Sequence, residues 1–197
     1  DMIHESACEV VMGCGHPWFD ADGKARPEGK PNTFKYVGGA DTWNDLVAGK
    51  AGGDCDGDGK ADAWTLVQTR EQFQKLASGE TPKRVCGTAQ VYSTLQQGRG
   101  GDAKAEPYAV PQIESVPTLA EMARAAINVL DEDEDGFFLM IEGGAVDWCG
   151  HANQSGRVIE EQIDFNHAVE AVVDWVEKNS SWEDTLVIVT ADHETGY

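Results

Sequence analysis

The chain lacks several features that would assign it to a common protein class. Its five cysteines are odd in number and form no C-x-x-C pair, so neither a zinc ribbon nor a disulfide scaffold is indicated, although one or two bridges stay open. No apolar run approaches the length of a membrane span, and no signal peptide is visible. Basic residues number 15 against 35 acidic ones, and the resulting net charge of −20 argues against nucleic acid and anionic membranes as partners.

What remains is the composition of a globular protein. The 197 residues are 41% hydrophobic, which is enough for one α/β domain or for part of a larger one. The chain begins at Asp1 rather than Met and ends at Tyr197, directly after an acidic stretch that contains histidine. We therefore expect residues 1–197 to be a fragment of one domain, in which the less distinctive residues 20–116 form an insertion or surface region.

Two apolar stretches predict the core of the fold. Phe137–Ile141 is an unbroken apolar run that leads into Gly143 and Gly144, and Thr185–Thr190 is apolar and β-branched. Such runs are typical of strands buried on both faces of a parallel sheet. Residues 156–179 between them follow a helical period, which completes a strand–helix–strand unit with a right-handed crossover. This pattern predicts a three-layer α/β/α sandwich with a mostly parallel sheet.

The remaining patterns predict shorter elements before this unit. Strands are expected at residues 9–12, 64–67 and 83–88, and helices at residues 41–50, 69–77 and 119–130. Thr69 is a candidate cap for the second helix, and either Ser115 or Thr118 is one for the third.

Five potential metal ligands follow the two predicted core strands. They are Glu142, Asp147 and His151 after the first strand, and Asp192 and His193 after the second. Because ligands bind at the carboxyl ends of parallel strands, we expect all five to lie at one edge of the sheet. Aspartate with histidine suits zinc, and glutamate oxygen suits magnesium. Metal pairs of this kind act on phosphoryl groups, whereas the alternative is a set of unrelated surface acids and core histidines.

A separate acidic stretch has the spacing of a calcium loop. Asp54, Asp56, Asp58 and Gly59 match positions one, three, five and six of that loop. Position twelve is Thr65 rather than glutamate, although Asp62 could ligate through water. Calcium binding and a plain acidic turn are equal alternatives here.

Both ligand stretches resemble signatures of one family. Residues 140–153, MIEGGAVDWCGHAN, resemble the metal-binding signature of alkaline phosphatases, and residues 185–196, TLVIVTADHETG, resemble the second signature of that family. The resemblance is close over about residues 117–197 and implies an incomplete alkaline phosphatase-like fold. It implies that Glu142 binds magnesium, that Asp147 and His151 bind one zinc, and that Asp192 and His193 bind a second zinc.

The resemblance also implies an activity, which this chain carries only in part. The family hydrolyses small phosphate monoesters through a phosphoserine intermediate, and its members are expected to be periplasmic or secreted, with a homodimer as one expected assembly. No Asp-Ser-Ala motif for the nucleophile occurs in the sequence, and the last zinc-binding histidine is expected beyond Tyr197. We therefore expect the fragment alone to be inactive. The alternatives are a phosphodiesterase, phosphomutase or sulfatase, or a calcium-stabilised module without catalysis.

Overall fold

The computed structural model of this chain describes residues 2–195. Within those residues, five strands and five α-helices follow one another, with a short 3-10 helix at Lys35–Val37. In chain order they are β1 Val10–Gly13, α1 Ala40–Val47, β2 Gly52–Gly53, β3 Asp62–Ala63, β4 Thr65–Val67, α2 Arg70–Leu76, β5 Val85–Thr88, α3 Leu119–Leu130, α4 Ala145–His151 and α5 Ser155–Asn179.

A three-stranded parallel sheet forms the centre of the fold. Its order is β1-β5-β4, with Val85 of β5 paired to Val10 of β1 and to Thr65 of β4. Successive side chains of a strand point to opposite faces. One face packs with α2 and α3 in a core that includes Phe73, and the other packs with Leu46 of α1. The predicted α/β fold with a mostly parallel sheet is confirmed, and the short β2–β3 pair is antiparallel.

Local sequence signals fix the two helices that cover the sheet. Thr69 caps α2 and Thr118 caps α3, and each threonine forms a capping box with the residue three positions later. In such a box the hydroxyl accepts a backbone N–H while the later side chain returns to the backbone of the cap. The prediction of these helices was therefore correct to within one or two residues at each end.

The prediction that residues 137–141 and 185–190 are parallel core strands is wrong for this structure. Neither segment is a strand or pairs with one among residues 2–195. The side chains of Phe138 and Leu186 are 90% and 83% exposed. The apolar pattern describes a segment suited to burial on both faces, but burial also needs neighbouring strands and covering helices, and residues 2–195 do not supply them here.

The helix predicted for residues 156–179 is confirmed as α5, but its buried face is not formed by apolar residues alone. Ile159 is 48% exposed, whereas Arg157, Glu160 and Glu161 are buried. The buried positions include residues 157, 160, 161, 168 and 171, at steps of three, four and seven. Polar residues thus occupy the inner face of the first half of α5, where charged partners from another segment meet them.

Residues 20–116 contribute surface loops and part of the central sheet. The range includes β4 and β5, and the whole of β5 is buried. Residues 96–116 form neither helix nor strand, and they lie directly on α5, where a Cβ added to Gly156 would approach the carbonyl oxygen of Ala105 to 2.2 Å. All five cysteines are free thiols. Among the residues that the structure describes, no helix is long and apolar enough to cross a membrane.

Candidate metal centre

The short helix α4 brings the first two predicted ligands together. Asp147 and His151 lie four residues apart, so they share one face of the helix, and Asp147 Oδ1 is 3.5 Å from His151 Nε2. The turn that leads into α4 packs closely on α5. A Cβ added to Gly143 would lie 2.8 Å from the ring of Phe165, so glycine is needed at this close approach.

Residues 192–195 bring His193, with Asp192 beside it, to the same carboxylate. His193 Nε2 lies 3.9 Å from Asp147 Oδ1 and 3.6 Å from Asp192 Oδ2. The hydroxyl of Thr195 donates a hydrogen bond to Asp147 Oδ1. Thr195 also lies against α4, since a Cβ added to Gly150 would be 3.0 Å from its methyl carbon. Asp147 is therefore the residue through which the two ligand segments meet.

The electrostatics of this group are those of an open, solvated arrangement. The side chains of His151 and His193 are 72% and 55% exposed, while that of Asp147 is 32% exposed. The carboxylate–imidazole distances of 3.5–3.9 Å exceed those of hydrogen bonds, so Asp147 attracts the imidazoles without fixing their orientation. The pKa of His193 is raised, first by its hydrogen bond to the carbonyl oxygen of Glu194 and then by the nearby charges of Asp192 and Asp147.

Glu142 makes no direct contact of the kind that joins the other four predicted ligands within residues 2–195. It lines a cavity of about 420 Å³ together with Trp148, Glu161 and Asp164. None of the hydrogen bonds or ion pairs within residues 2–195 joins it to Asp147, His151, Asp192 or His193. The structure thus gathers four of the five residues, and the magnesium role predicted for Glu142 stays a prediction.

The residue types around Asp147 are those that bind zinc, but their ligand atoms are spread more widely than the ligand atoms of a zinc site. Aspartate oxygens and histidine nitrogens are ordinary zinc ligands, and glutamate oxygen is an ordinary magnesium ligand. Across residues 2–195, the only three-residue group whose ligand atoms all lie within 4.8 Å of one another is Asp54, Asp56 and Asp58. The group around Asp147 is wider than that, so an ion would have to draw its ligands inward.

The acidic turn at residues 54–62 already has a positive charge beside it. The carboxylate of Asp54 accepts the N–H groups of Gly57 and Gly59 at 2.6 and 2.8 Å. Lys83 Nζ lies 2.5 Å from Asp56 Oδ2 and 2.7 Å from Asp62 Oδ1. The hydrogen bond from Lys83 is the main reason that the pKa of Asp62 falls to about 2. Asp62 thus faces the ammonium group rather than the three-aspartate group.

A buried charged network behind the cavity escaped the sequence analysis. Arg99 Nη2 donates to Glu160 Oε2 at 2.6 Å, and both side chains are almost fully buried. Burial, followed by the charge of Asp164, raises the pKa of the neighbouring Glu161 to about 7. Within residues 2–195, Oε1 of Glu161 has no hydrogen-bond partner, although the backbone of Gln97 bonds to this carboxylate. The sequence carried no signal for this network, because α5 contains many charged residues and Arg99 comes from a loop 61 residues before Glu160.

Comparisons with known proteins agree on one family. The family model described as Alkaline phosphatase matches residues 1–197. The chain is 41% identical over 90 residues to alkaline phosphatase 3 of Bacillus subtilis, a match that covers 46% of this chain and 19% of that protein. It is 27% identical over 195 residues to the repressible alkaline phosphatase of Saccharomyces cerevisiae, covering 95% of this chain and 30% of that protein.

A solved structure gives the same indication for the fold. The cold-active alkaline phosphatase from the psychrophile Shewanella sp. matches with a TM-score of 0.50 and 20% identity, over 87% of this chain and 31% of that one. The chain therefore spans between about a fifth and a third of the length of these relatives. The family match over all residues, together with the ligand group around Asp147, leads to one conclusion: this chain belongs to the alkaline phosphatase family.

Proposed function

We propose that these residues form part of a metal-dependent phosphatase that hydrolyses small phosphate monoesters through a phosphoserine intermediate. The observation that supports this most directly is the approach of His151 and His193 to one carboxylate oxygen of Asp147, with Asp192 beside His193, in a chain of the alkaline phosphatase family. The activity is proposed for a whole polypeptide, because this chain spans only part of the length of its relatives.

In this proposal, Asp147 and His151 hold one zinc ion, Asp192 and His193 hold a second, and Glu142 holds magnesium. When bound, such ions stabilise the negative charge that develops on the transferring phosphoryl group and on the leaving oxygen. The chain's own contribution is to position the ligands. α4 sets the spacing of Asp147 and His151, and the bond from Thr195 holds the 192–195 segment against α4. Catalytic zinc sites generally use three protein ligands, so each zinc pair needs a further ligand.

The charge of the chain argues against nucleic acid as its substrate. A net charge of −20 disfavours binding to nucleic acid, whose affinity depends on cationic contacts to phosphate. The family resemblance supports a periplasmic or secreted location, and a homodimer is proposed on the same basis. The location and the homodimer both follow from the family resemblance, and direct measurement on the protein tests each of them.

A zinc titration with matched variants tests the ligand assignment. We expect residues 1–197 to bind zinc weakly, and we expect Asp147→Asn to abolish that binding by removing the shared carboxylate. Asp174→Asn on the exposed face of α5, where Asp174 pairs only with Lys178, should leave it unchanged. Equal loss in both variants, or unchanged binding in Asp147→Asn, would contradict the assignment.

Turnover of a chromogenic phosphate monoester tests the reaction itself. We expect hydrolysis from the natural polypeptide that contains these residues, loss of that activity in Asp147→Asn, and no turnover by residues 1–197 alone, which contain no recognisable serine nucleophile motif. Hydrolysis of a diester or a sulfate ester in preference to the monoester would replace the proposal by another activity.

A further inference from the structure

The loop of residues 96–111 is fastened to the first half of α5 by a buried ion pair. Arg99 donates hydrogen bonds to three backbone carbonyl oxygens of its own loop at 3.0–3.1 Å, which closes the loop around the guanidinium group. The same group donates to Glu160 Oε2 of α5 at 2.6 Å, with the two side chains 2% and 3% exposed. The loop is therefore held on α5 by a pair of charges that water does not reach.

Two further side chains extend this attachment to the residue that follows the end of α4. Arg157, which is also buried, donates to the carbonyl oxygens of Gln97 and Gly100. Gln97 Nε2 donates to Gln154 Oε1 at 2.9 Å, and the N–H of Gln154 donates to the carbonyl oxygen of Cys149 in α4 at 3.0 Å. Gln154 thus joins the loop to α4. The clamp, as we call this group, consists of Gln97, Arg99, Gln154, Arg157 and Glu160.

Two residues beside the clamp have backbone conformations that side chains other than glycine rarely adopt. Within residues 2–195, Tyr108 and Asn153 are the only residues other than glycine with positive φ, at 63° and 53°. The N–H of Tyr108 donates to Glu160 Oε1 at 2.7 Å, and Asn153 directly precedes Gln154. Such conformations persist only where the surrounding structure fixes them, and they cluster at functional sites.

The helix that carries Asp147 and His151 depends on such external support. α4 has only seven residues, too few for a stable isolated helix, and among the described residues no side chain caps its start. The side chain of His151 is 72% exposed, so packing around the imidazole contributes little to its position. The start of α4 is held where Gly143 packs on Phe165, and its end is held by the clamp.

We propose that Gln97 is a positioning residue for the metal centre. Through Gln154, it holds the end of α4 where His151 can reach a zinc ion together with Asp147. The inference rests on the zinc role proposed above for His151, and it adds a residue of a distant loop that touches no metal itself.

The alternative is that the clamp only stabilises the packing of the loop on α5. Arg99 and Glu160 serve that packing in either case, because loss of one partner from a buried ion pair is strongly destabilising. Gln97 and Gln154 are partly exposed, and a hydrogen bond between two neutral side chains contributes little to global stability. Variants of these two glutamines therefore test the position of α4 without unfolding the protein.

The zinc affinity of the natural polypeptide, measured by competition with a chelating dye, tests the proposal. Gln97→Met keeps the length of the side chain and removes its hydrogen bond, and we expect zinc affinity to fall about tenfold, as for other groups that orient metal ligands. Gln97→Glu should keep most of the affinity, because the amide of Gln154 can rotate and donate to the new carboxylate. Gln162→Met removes a comparable bond, to Asn166 on the exposed side of α5, and should change nothing.

A double variant and local hydrogen exchange in the same polypeptide separate positioning from global stability. If Gln97 acts through Gln154, the double variant Gln97→Met, Gln154→Met should lose no more zinc affinity than either single variant. Exchange at the amides of residues 152–154 should become faster in Gln97→Met, while exchange in β5 stays unchanged. Additive losses in the double variant, or exchange that is equally faster in β5, would overturn the proposal.

Asp147→Asn distinguishes failure of this inference from failure of the proposed function. If Asp147→Asn abolishes zinc binding while Gln97→Met leaves the affinity unchanged, the positioning role of Gln97 is refuted and the ligand assignment stands. If both variants bind zinc as the unaltered protein does, the ligand assignment fails and the role of Gln97 fails with it.

Discussion

Two regions of this molecule carry strand-like sequences, and only one of them uses those sequences in a sheet. In the sheet region, residues 10–130, β1, β4 and β5 pair in register and are covered by helices on both faces. In the ligand region, residues 137–195, two equally apolar segments stay unpaired and exposed. The difference shows that an apolar pattern specifies a preference for burial, whereas the partners that provide burial must come from elsewhere in the polypeptide.

Truncation of a phenylalanine in each region gives the largest contrast. Phe73 of α2 is fully buried in the sheet region, so Phe73→Ala should lower the free energy of unfolding of residues 1–197 by about 3–5 kcal/mol. Phe138 is 90% exposed, and Phe138→Ala should change it by less than about 0.5 kcal/mol. Urea unfolding measures both.

A large loss in Phe138→Ala would break the comparison, because it would mean that the ligand region is packed in solution. Phe73→Ala and Phe138→Ala, made in the natural polypeptide, would sharpen the comparison between the two regions. If further polypeptide covers residues 137–141 there, the loss in Phe138→Ala should rise toward that of a core residue.

The predictability of the fold follows the same division. α2 and α3 could be predicted because their signals are local: an apolar stripe at helical spacing and a threonine cap three residues before its partner. The state of residues 137–141 could not be predicted, because pairing depends on residues distant in the chain. The polar inner face of α5 could not be predicted for a related reason, since buried Glu160 pairs with Arg99, which approaches from a distant loop.

The candidate site divides in the same way. The approach of Asp147 to His151 follows from a spacing of four residues on one helix, and sequence alone predicted it. The approach of His193 to Asp147 requires the chain to return from the end of α5. It was expected from the carboxyl ends of two parallel strands, and it occurs although neither segment forms a strand within residues 2–195. The buried Glu161 gave no sequence signal, because its burial depends on segments far from it along the chain.

The free energy of unfolding should depend on pH because of one buried carboxylate, that of Glu161 in α5. Burial, then Asp164, then Glu160 raise the pKa of Glu161 to about 7, while Arg99 and a backbone hydrogen bond from Gln97 act in the opposite direction. The folded state therefore keeps a proton that the unfolded state releases near pH 4.5. The stability of residues 1–197 should fall as pH rises from about 4.5 to 7, by roughly 3 kcal/mol, and level off above that.

Glu161→Gln should remove most of this slope, because glutamine does not titrate. Glu170→Gln is the matched control and should keep the slope of the unaltered chain. Thermal or urea unfolding between pH 4.5 and 8 measures all three proteins. A slope that survives in Glu161→Gln would assign the effect to Asp164, whose pKa is also raised by burial.

Loss of a helix cap should have a smaller effect, confined to the sheet region. Thr118 accepts the N–H of Glu121 at 3.1 Å and begins α3, so Thr118→Ala should cost about 1 kcal/mol. Thr118→Ser keeps the hydroxyl and should cost much less. Denaturant unfolding with each variant checks the difference, and equal losses would indicate that the methyl group of Thr118, rather than its cap, stabilises the helix.

The smallest effect is expected at the acidic turn, where calcium binding stays a prediction. Asp54, Asp56 and Asp58 are close enough to share a cation, but Lys83 already neutralises Asp56 and Asp62. We therefore expect weak binding, with a stabilisation of only about 0.4 kcal/mol when calcium equals its Kd. Lys83→Met frees two carboxylates and should tighten calcium binding severalfold by calorimetric titration, whereas Lys60→Met removes an exposed lysine that contacts only Asp58 and should change it less. If neither the unaltered chain nor Lys83→Met binds calcium, residues 54–62 are an acidic turn that Lys83 stabilises. This part of the sheet region would then depend on charge pairing within the chain rather than on calcium.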